Sequence, residues 1–143
     1  MADLVGVGPW GGGGGVEWSD VFLGGLQEII IDTAGGLYIK SIFFKPGSIP
    51  EGDIYIKISL DWPTEYLVRI DGTHGFQSQG LEDIIRSLTF VTNENTYGPY
   101  GTVSEEDTSF TIPIKIGKVV GFHGQSGEAV DAIGIYLAPT TSS

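Results

Sequence analysis

Gly127-Glu128-Ala129-Val130-Asp131-Ala132-Ile133-Gly134-Ile135-Tyr136 reads as a glycine-led turn, one carboxylate and an apolar strand, and the chain echoes it twice. Gly36-Leu-Tyr-Ile-Lys-Ser-Ile-Phe-Phe44 and Leu81-Glu-Asp-Ile-Ile-Arg-Ser-Leu-Thr-Phe90 fall into register with it when Ile39, Ile85 and Val130 are aligned. That alignment superposes Lys40, Arg86 and Asp131, then Ser41, Ser87 and Ala132, then Ile42, Leu88 and Ile133. The spacing is 46 residues, then 45. Three such units imply threefold pseudo-symmetry, as blades, trefoil lobes or prism faces. One small antiparallel sheet cannot bury its apolar face alone; three packed around an axis can.

Outward from these echoes the chain reads as strand nearly throughout. Ile54-Tyr-Ile-Lys-Ile-Ser-Leu60 and Phe110-Thr-Ile-Pro-Ile-Lys-Ile116 alternate with the period of two expected of half-buried strands. Pro113 cannot donate to a ladder, which assigns its strand to an edge or a bulge. Further strands are expected at Gln27 to Asp32, Leu37 to Phe44, Tyr66 to Ile70, Ile84 to Thr92, Val119 to His123 and Ala132 to Leu137. Turns are expected at Gly24-Gly25, Gly35-Gly36, Pro46-Gly47, Asp71-Gly72, Gly98-Pro99 and Gly117. No window carries a sustained helical stripe. The expected class is all-β.

Composition narrows the function classes. The 143 residues suffice for one domain, expected over 1–143 with its core at about 7–139. Glycine, at 23 residues, is about twice its usual share of roughly 7%, and no collagen period accompanies it. Eighteen acidic residues against seven basic ones leave a net charge of −11. Without Lys/Arg clusters, neither nucleic acid nor an anionic membrane surface is an expected partner. There are no cysteines, which removes disulfides, thiolate chemistry and thiolate-bound metals. Met-Ala-Asp-Leu-Val carries no basic segment before an apolar run, and no stretch approaches the ~20 apolar residues that span a bilayer. A cytoplasmic location is the expectation, and secretion stays open if a leader precedes this stretch.

Two of the three echoes carry a base where the third carries Asp131. A position fixed by packing alone would keep one character across the units. The difference reads either as a site confined to the third unit or as a solvated strand start where charge drifts freely.

At Gly8-Pro-Trp-Gly-Gly-Gly-Gly-Gly15, Thr96-Tyr-Gly-Pro-Tyr-Gly101 and Val120-Gly-Phe-His-Gly-Gln-Ser-Gly-Glu-Ala-Val-Asp-Ala-Ile-Gly-Ile-Tyr-Leu137, the chain resembles the jacalin-related lectins. The three motifs run in the right order from about Val7 to Pro139, in register with the triplication. The resemblance implies a β-prism I fold, three Greek-key antiparallel sheets about a pseudo-threefold axis. It implies too that the first strand completes the sheet of the last, setting the glycine run beside Asp131.

Residue by residue, the resemblance implies a sugar pocket at Gly15, Gly127, Glu128, Ala129 and Asp131. The amides of Glu128 and Ala129 would meet the ring oxygen and primary hydroxyl of a hexose. Asp131 would accept from the hydroxyls at C4 and C6, and Gly15 N–H would hold the hydroxyl at C3 or C4. A sugar hydroxyl both donates and accepts, so a carboxylate beside amide donors suits adjacent hydroxyls. The loop from Gly80 to Asp83 is expected at the rim, with Glu82, Asp83 and Val130 as candidates. Some members use a second such turn in the first repeat; its counterpart here ends in Lys40, which donates and cannot accept. One site per chain is therefore expected. The second glycine loop of the family corresponds to the shorter Gly47-Ser-Ile-Pro-Glu-Gly52.

Galactose-preferring members are cut near the sugar, whereas this chain runs on through its glycine segment, as in the uncut mannose/glucose group. The implied function is metal-independent binding of mannose- or glucose-containing glycans, with no cofactor, by a non-enzyme that works as a homo-oligomer. The alternative is a structural or protein-interaction prism whose sugar site has decayed or been redesigned. Lys40 and the Glu128-Ala129 pair, where the family commonly places an aromatic or long side chain, fit that alternative.

Other constellations read more simply as structure. Gly11 to Gly15 is no P-loop, since no Gly-Lys-Ser/Thr follows. Trp10, Trp18 and Trp62 are assigned to packing rather than to sugar stacking. His74 and His123 lack metal-ligand spacing. Glu105-Glu106-Asp107 is a solvated turn rather than a glycosidase pair.

Overall fold

The alternation becomes eleven strands in the computed structural model of the protein, which describes residues 4–22, 25–45, 55–114 and 117–138. They are β1 (Val5–Gly11), β2 (Val16–Val21), β3 (Glu28–Asp32), β4 (Ser41–Lys45), β5 (Ile56–Ser59) and β6 (Leu67–Gly75). β7 (Ile84–Thr92), β8 (Thr96–Gly101), β9 (Thr108–Pro113), β10 (Lys118–Ser126) and β11 (Val130–Ala138) follow. The described residues contain no helix. The all-β expectation holds.

These strands form three antiparallel sheets. In the sheet of order β8-β7-β6-β9 three consecutive strands neighbour one another and the fourth returns beside the first, which is the Greek-key order. The sheet of order β1-β11-β10-β2 repeats it across a long sequence gap. There β10 and β11 take the places of the first two strands, while β1 and β2 supply the third and fourth. In the remaining sheet the described strands run β4-β3-β5, and the expected loop Gly47 to Gly52 lies outside the described residues.

The sheets close on one apolar centre. Ile39 and Ile85 are fully buried and Val130 is nearly so. Ile39 N–H donates to Ile85 O at 3.0 Å, and Val130 N–H donates to Ile39 O at 3.0 Å. The three positions aligned in the sequence therefore meet at the centre of the molecule. Around them, Phe44 of β4 stacks on Phe122 of β10 with ring centres 4.0 Å apart, joining two sheets. Trp10 stacks on Phe110 at 6.1 Å, joining β1 to β9, and Trp18 lies 6.4 Å from Phe44. Two of the three tryptophans are thus in packing roles.

Some boundaries differ from the sequence reading. Asp71-Gly72 is no turn, because β6 runs through it with Gly72 opposite Leu88 on one side and Phe110 on the other. A methyl group at Gly72 would overlap the Phe110 ring, so this glycine makes room for an aromatic. Gly98-Pro99 likewise lies inside β8, where the register with β7 shifts between Leu88 and Phe90. The strand expected from Leu37 starts only at Ser41, since Thr33 O draws in the amides of Gly36 and Leu37, each at 3.0 Å. Pro113 stands on β9, an edge strand, as its missing donor requires.

Candidate functional site

The topology of one sheet builds the site. β10 and β11 form a hairpin whose turn is 127–129, with β1 alongside β11 and β2 alongside β10. The loop joining β1 to β2 must therefore cross the end of that hairpin. Gly11 pairs with Ala132, Gly12 N–H donates to Asp131 O at 2.8 Å, and Val16 pairs with Ser126. Residues more than a hundred positions apart are thereby brought into contact.

The crossing leaves no space for side chains at Gly12, Gly14 and Gly15. A methyl group on Gly15 would lie 2.6 Å from Ser126 O and 2.7 Å from Asp131 Oδ1, and φ there is +78°. Only glycine meets both demands. At Gly14 a methyl group would stand 2.9 Å from Asp131 Oδ2, whereas at Gly127 it would make only an ordinary 3.6 Å contact with Gly15 Cα. Gly12 presses on the opposite wall, where a methyl would overlap Asp83 O. Glycine at these positions lets backbone approach carboxylate.

An open cavity of about 350 Å³ results, lined by Gly13, Gly14, Gly80, Glu82, Asp83 and Asp131. Its size fits a small ligand. Burial raises the pKa of Asp131, the amide of Gly127 offsets part of this, and the negative charge of Asp83 raises it again. His74 Nδ1 lies 2.7 Å from Asp83 Oδ1, which fixes the rim carboxylate.

The expected residues divide as follows. Gly15, Gly127 and Asp131 come together, and Glu82 and Asp83 stand on the cavity wall as rim residues. Glu128 is exposed on the turn. Ala129 is 1% exposed, and its carbonyl accepts from Gly127 N–H at 2.9 Å. Val130, expected at the rim, is instead a core residue at 2% exposure. A bulge explains the correction: the register slips at Asp131, between the pairs Gln125–Ala132 and Ser126–Val130, so Asp131 faces the cavity while Val130 before it and Ile133 beyond it both reach the core.

The equivalent positions in the other two units are spent differently. Arg86 Nε sits 3.3 Å from Asp107 Oδ2, an ion pair with both side chains largely buried. Lys40 is exposed, and its amide donates to Asp32 O at 2.8 Å. Asp107 is thereby engaged within the fold, while Glu105 and Glu106 remain exposed on their turn.

Four contributors escaped the sequence reading. Gly13 and Gly14 line the cavity, yet within a run of five glycines nothing in the sequence separates them from their neighbours. His74 gave no signal, since its partner Asp83 is nine residues away across the turn between β6 and β7. Gln125 was also missed; its one signal is a polar side chain at the foot of the hairpin, two residues before the turn glycine.

A larger cavity, about 410 Å³, lies on the outer face of the same sheet, lined by Pro9, Glu17, Trp18, Ser19, His123, Gly124, Gln125 and Tyr136. His123 packs there against Tyr136 with ring centres 4.6 Å apart. It lacks the loop-over-turn arrangement, and size alone does not make it the site.

A family model described as a jacalin-like lectin domain matches residues 7–136. The chain is 43% identical to a mannose/glucose-specific lectin of Parkia platycephala over 96% of its own length, and spans about a third (33%) of that relative. It is 40% identical to a galactose-specific lectin of Morus indica, over 92% of this chain and 90% of the relative. Among solved structures, a mannose-specific jacalin-related lectin from Morus nigra in complex with mannose superposes with a TM-score of 0.78. Its identity is 40%, and 96% of each chain is covered.

Proposed function

This chain belongs to the family of jacalin-like lectin domains, and on that premise we propose that it binds mannose or glucose residues of glycans at the loop-over-turn site. The observation that carries the proposal is the convergence of Gly14 and Gly15 on the carboxylate of Asp131 beside the turn at Gly127. Asp131 would accept from two adjacent hydroxyls in charge-assisted hydrogen bonds. The amides of Gly15, Glu128 and Ala129 would donate to the ring oxygen and the remaining hydroxyls. No metal is required, since one carboxylate and several amides already supply both halves of the recognition. The sequence runs on without a break through the glycine run, which favours mannose or glucose over galactose. A shallow single site binds weakly, and several copies presenting it together would gain roughly 10²–10⁴ in avidity.

Calorimetric titration with the methyl glycosides of mannose, glucose and galactose tests the reading. Heat with mannoside or glucoside, and less with galactoside, is the expected result. Asp131→Ala should weaken that binding at least about 100-fold, given the worth of hydrogen bonds to a charged group. A flat trace with all three sugars would favour the second reading, a prism that keeps its fold without its sugar site. The exposed acid Glu128 beside the buried methyl of Ala129 offers a sugar little apolar cover, and that is the observation on the second reading's side.

A further inference from the structure

The glycine loop that supplies the proposed donors has no side chains of its own to hold it. A methyl group at Gly13 would meet nothing within 4 Å, so one flank of the loop is open. Backbone amides serve as a binding surface only when their direction is fixed, and glycine is the residue that loses most freedom on being fixed. Something outside the loop must hold it.

Gln125 is placed to do so. It lies on β10, opposite Glu17 on one side and Ala132 on the other, directly beneath the crossing. With its carboxamide nitrogen toward the loop, the orientation that satisfies both acceptors, it donates to Gly14 O at 2.7 Å and to Gly13 O at 2.9 Å. A peptide unit is planar and trans, so its N–H points opposite to its carbonyl. Drawing the carbonyls of Gly13 and Gly14 toward β10 therefore turns the N–H groups of Gly14 and Gly15 away from it. The second of these is the donor the sugar proposal needs.

We infer that Gln125 is a positioning residue for carbohydrate recognition: one carboxamide holds two successive carbonyls and so aims the amides of Gly14 and Gly15 before the sugar arrives. The inference rests on the loop-over-turn site being the sugar site. Its chemistry is specific to a neutral double donor. A methionine of similar length fills the space and donates nothing. A glutamate presents acceptors to acceptors at neutral pH, and regains one donor when protonated.

The test uses the full chain as wild type, Gln125→Met and Gln125→Glu, titrated with methyl mannoside between pH 7 and pH 4.5. Amide relaxation of Gly14 and Gly15 is recorded in parallel by NMR without sugar. Loss of two neutral hydrogen bonds predicts about tenfold weaker binding for Gln125→Met, with a loss for Gln125→Glu larger still at pH 7. On acidification the gap between wild type and Gln125→Glu should narrow, while the gap to Gln125→Met stays constant. A purely structural role would not produce that difference. The Gly14 and Gly15 amides should become mobile in Gln125→Met, with its far-UV spectrum unchanged. Binding within twofold of wild type in both variants, with loop amides as rigid as before, overturns the inference. A wild type that gives no heat with any sugar defeats the functional reading instead, and the relaxation data then decide by themselves whether Gln125 holds the loop.

Discussion

Asp131 must carry its charge where charge is costly. Its pKa is raised, chiefly by burial and further by Asp83, so the sign of its contribution to stability is reversed from that of a paired carboxylate. A raised folded-state pKa stabilises the fold below the unfolded value, near 3.9 for an ordinary aspartate, and that contribution is lost as pH rises through the folded value. At neutral pH the ionised group costs stability, while the proposed sugar site needs it as an acceptor. Asp131→Asn relieves both the burial of charge and the Asp83 repulsion, and should therefore melt no lower than wild type at pH 7 while losing sugar affinity. A clearly lower midpoint in thermal unfolding would contradict this. Mannoside affinity of the wild type should fall on acidification, beginning above the range of an ordinary aspartate, which titrations from pH 7 to pH 4 would show. Asp131 stood out in the sequence because its two counterparts are bases, but that contrast fitted a solvated strand start equally well, and the family resemblance gave it a role. Gln125 did not, because a hydrogen bond to a loop a hundred residues away leaves no local pattern, and Val130 was misjudged because sequence adjacency to Asp131 places it on the opposite face.

Between residue and molecule stand the elements, and the link before β6 shows how one of them is secured. Glu65, 3% exposed, accepts at Oε2 from Thr92 Oγ1 and Tyr97 OH, each at 2.7 Å, and from Asn95 Nδ2 at 3.0 Å. Its Oε1 takes the amide of Asp61 at 3.1 Å. Burial is the largest single influence and pushes its pKa upward, yet the four hydrogen bonds together outweigh it and bring the pKa down to about 2. A depressed carboxylate pKa stabilises the fold above the unfolded value, and that stability is lost as pH falls toward the folded one. Glu65→Gln should accordingly lower the thermal midpoint at pH 7, and the difference from wild type should shrink between about pH 4.5 and pH 2. Equal midpoints at pH 7 would show that the network does not hold the hairpin of β7 and β8. Strand content at this scale was largely readable from alternation, and Gly35-Gly36 is a turn as expected, whereas the turn signals at Asp71-Gly72 and Gly98-Pro99 misled. Asp71-Gly72 has turn composition, but the need to seat Phe110 under Gly72 overrides it.

Across the whole molecule, the triplication was legible because each unit must send one apolar residue to the same centre, and Ile39, Ile85 and Val130 do so. What alternation could not reveal was which strands complete which sheet, since β1 and β2 pair with partners at the far end of the sequence. Val5 pairs with Leu137 and Gly6 with Tyr136, so the start of β1 and the end of β11 are neighbours in space. A circular permutant that joins these two by a short linker and opens the exposed turn at Glu105-Glu106 should keep its far-UV spectrum, and its mannoside affinity within about twofold. A permutant opened at Gly13-Gly14 should keep the spectrum and lose the sugar, because it frees the carbonyls that Gln125 holds. The shared sheet also has a temporal side. A ribosome makes β1 and β2 nearly a hundred residues before β10 and β11, roughly 5–20 s earlier at ordinary translation speeds. Throughout that interval β1 and β2 lack the strands they pair with, and unpaired strand edges invite sticking to other chains. Glycan binding at the proposed site would consequently wait for the β10–β11 hairpin to take its place between β1 and β2.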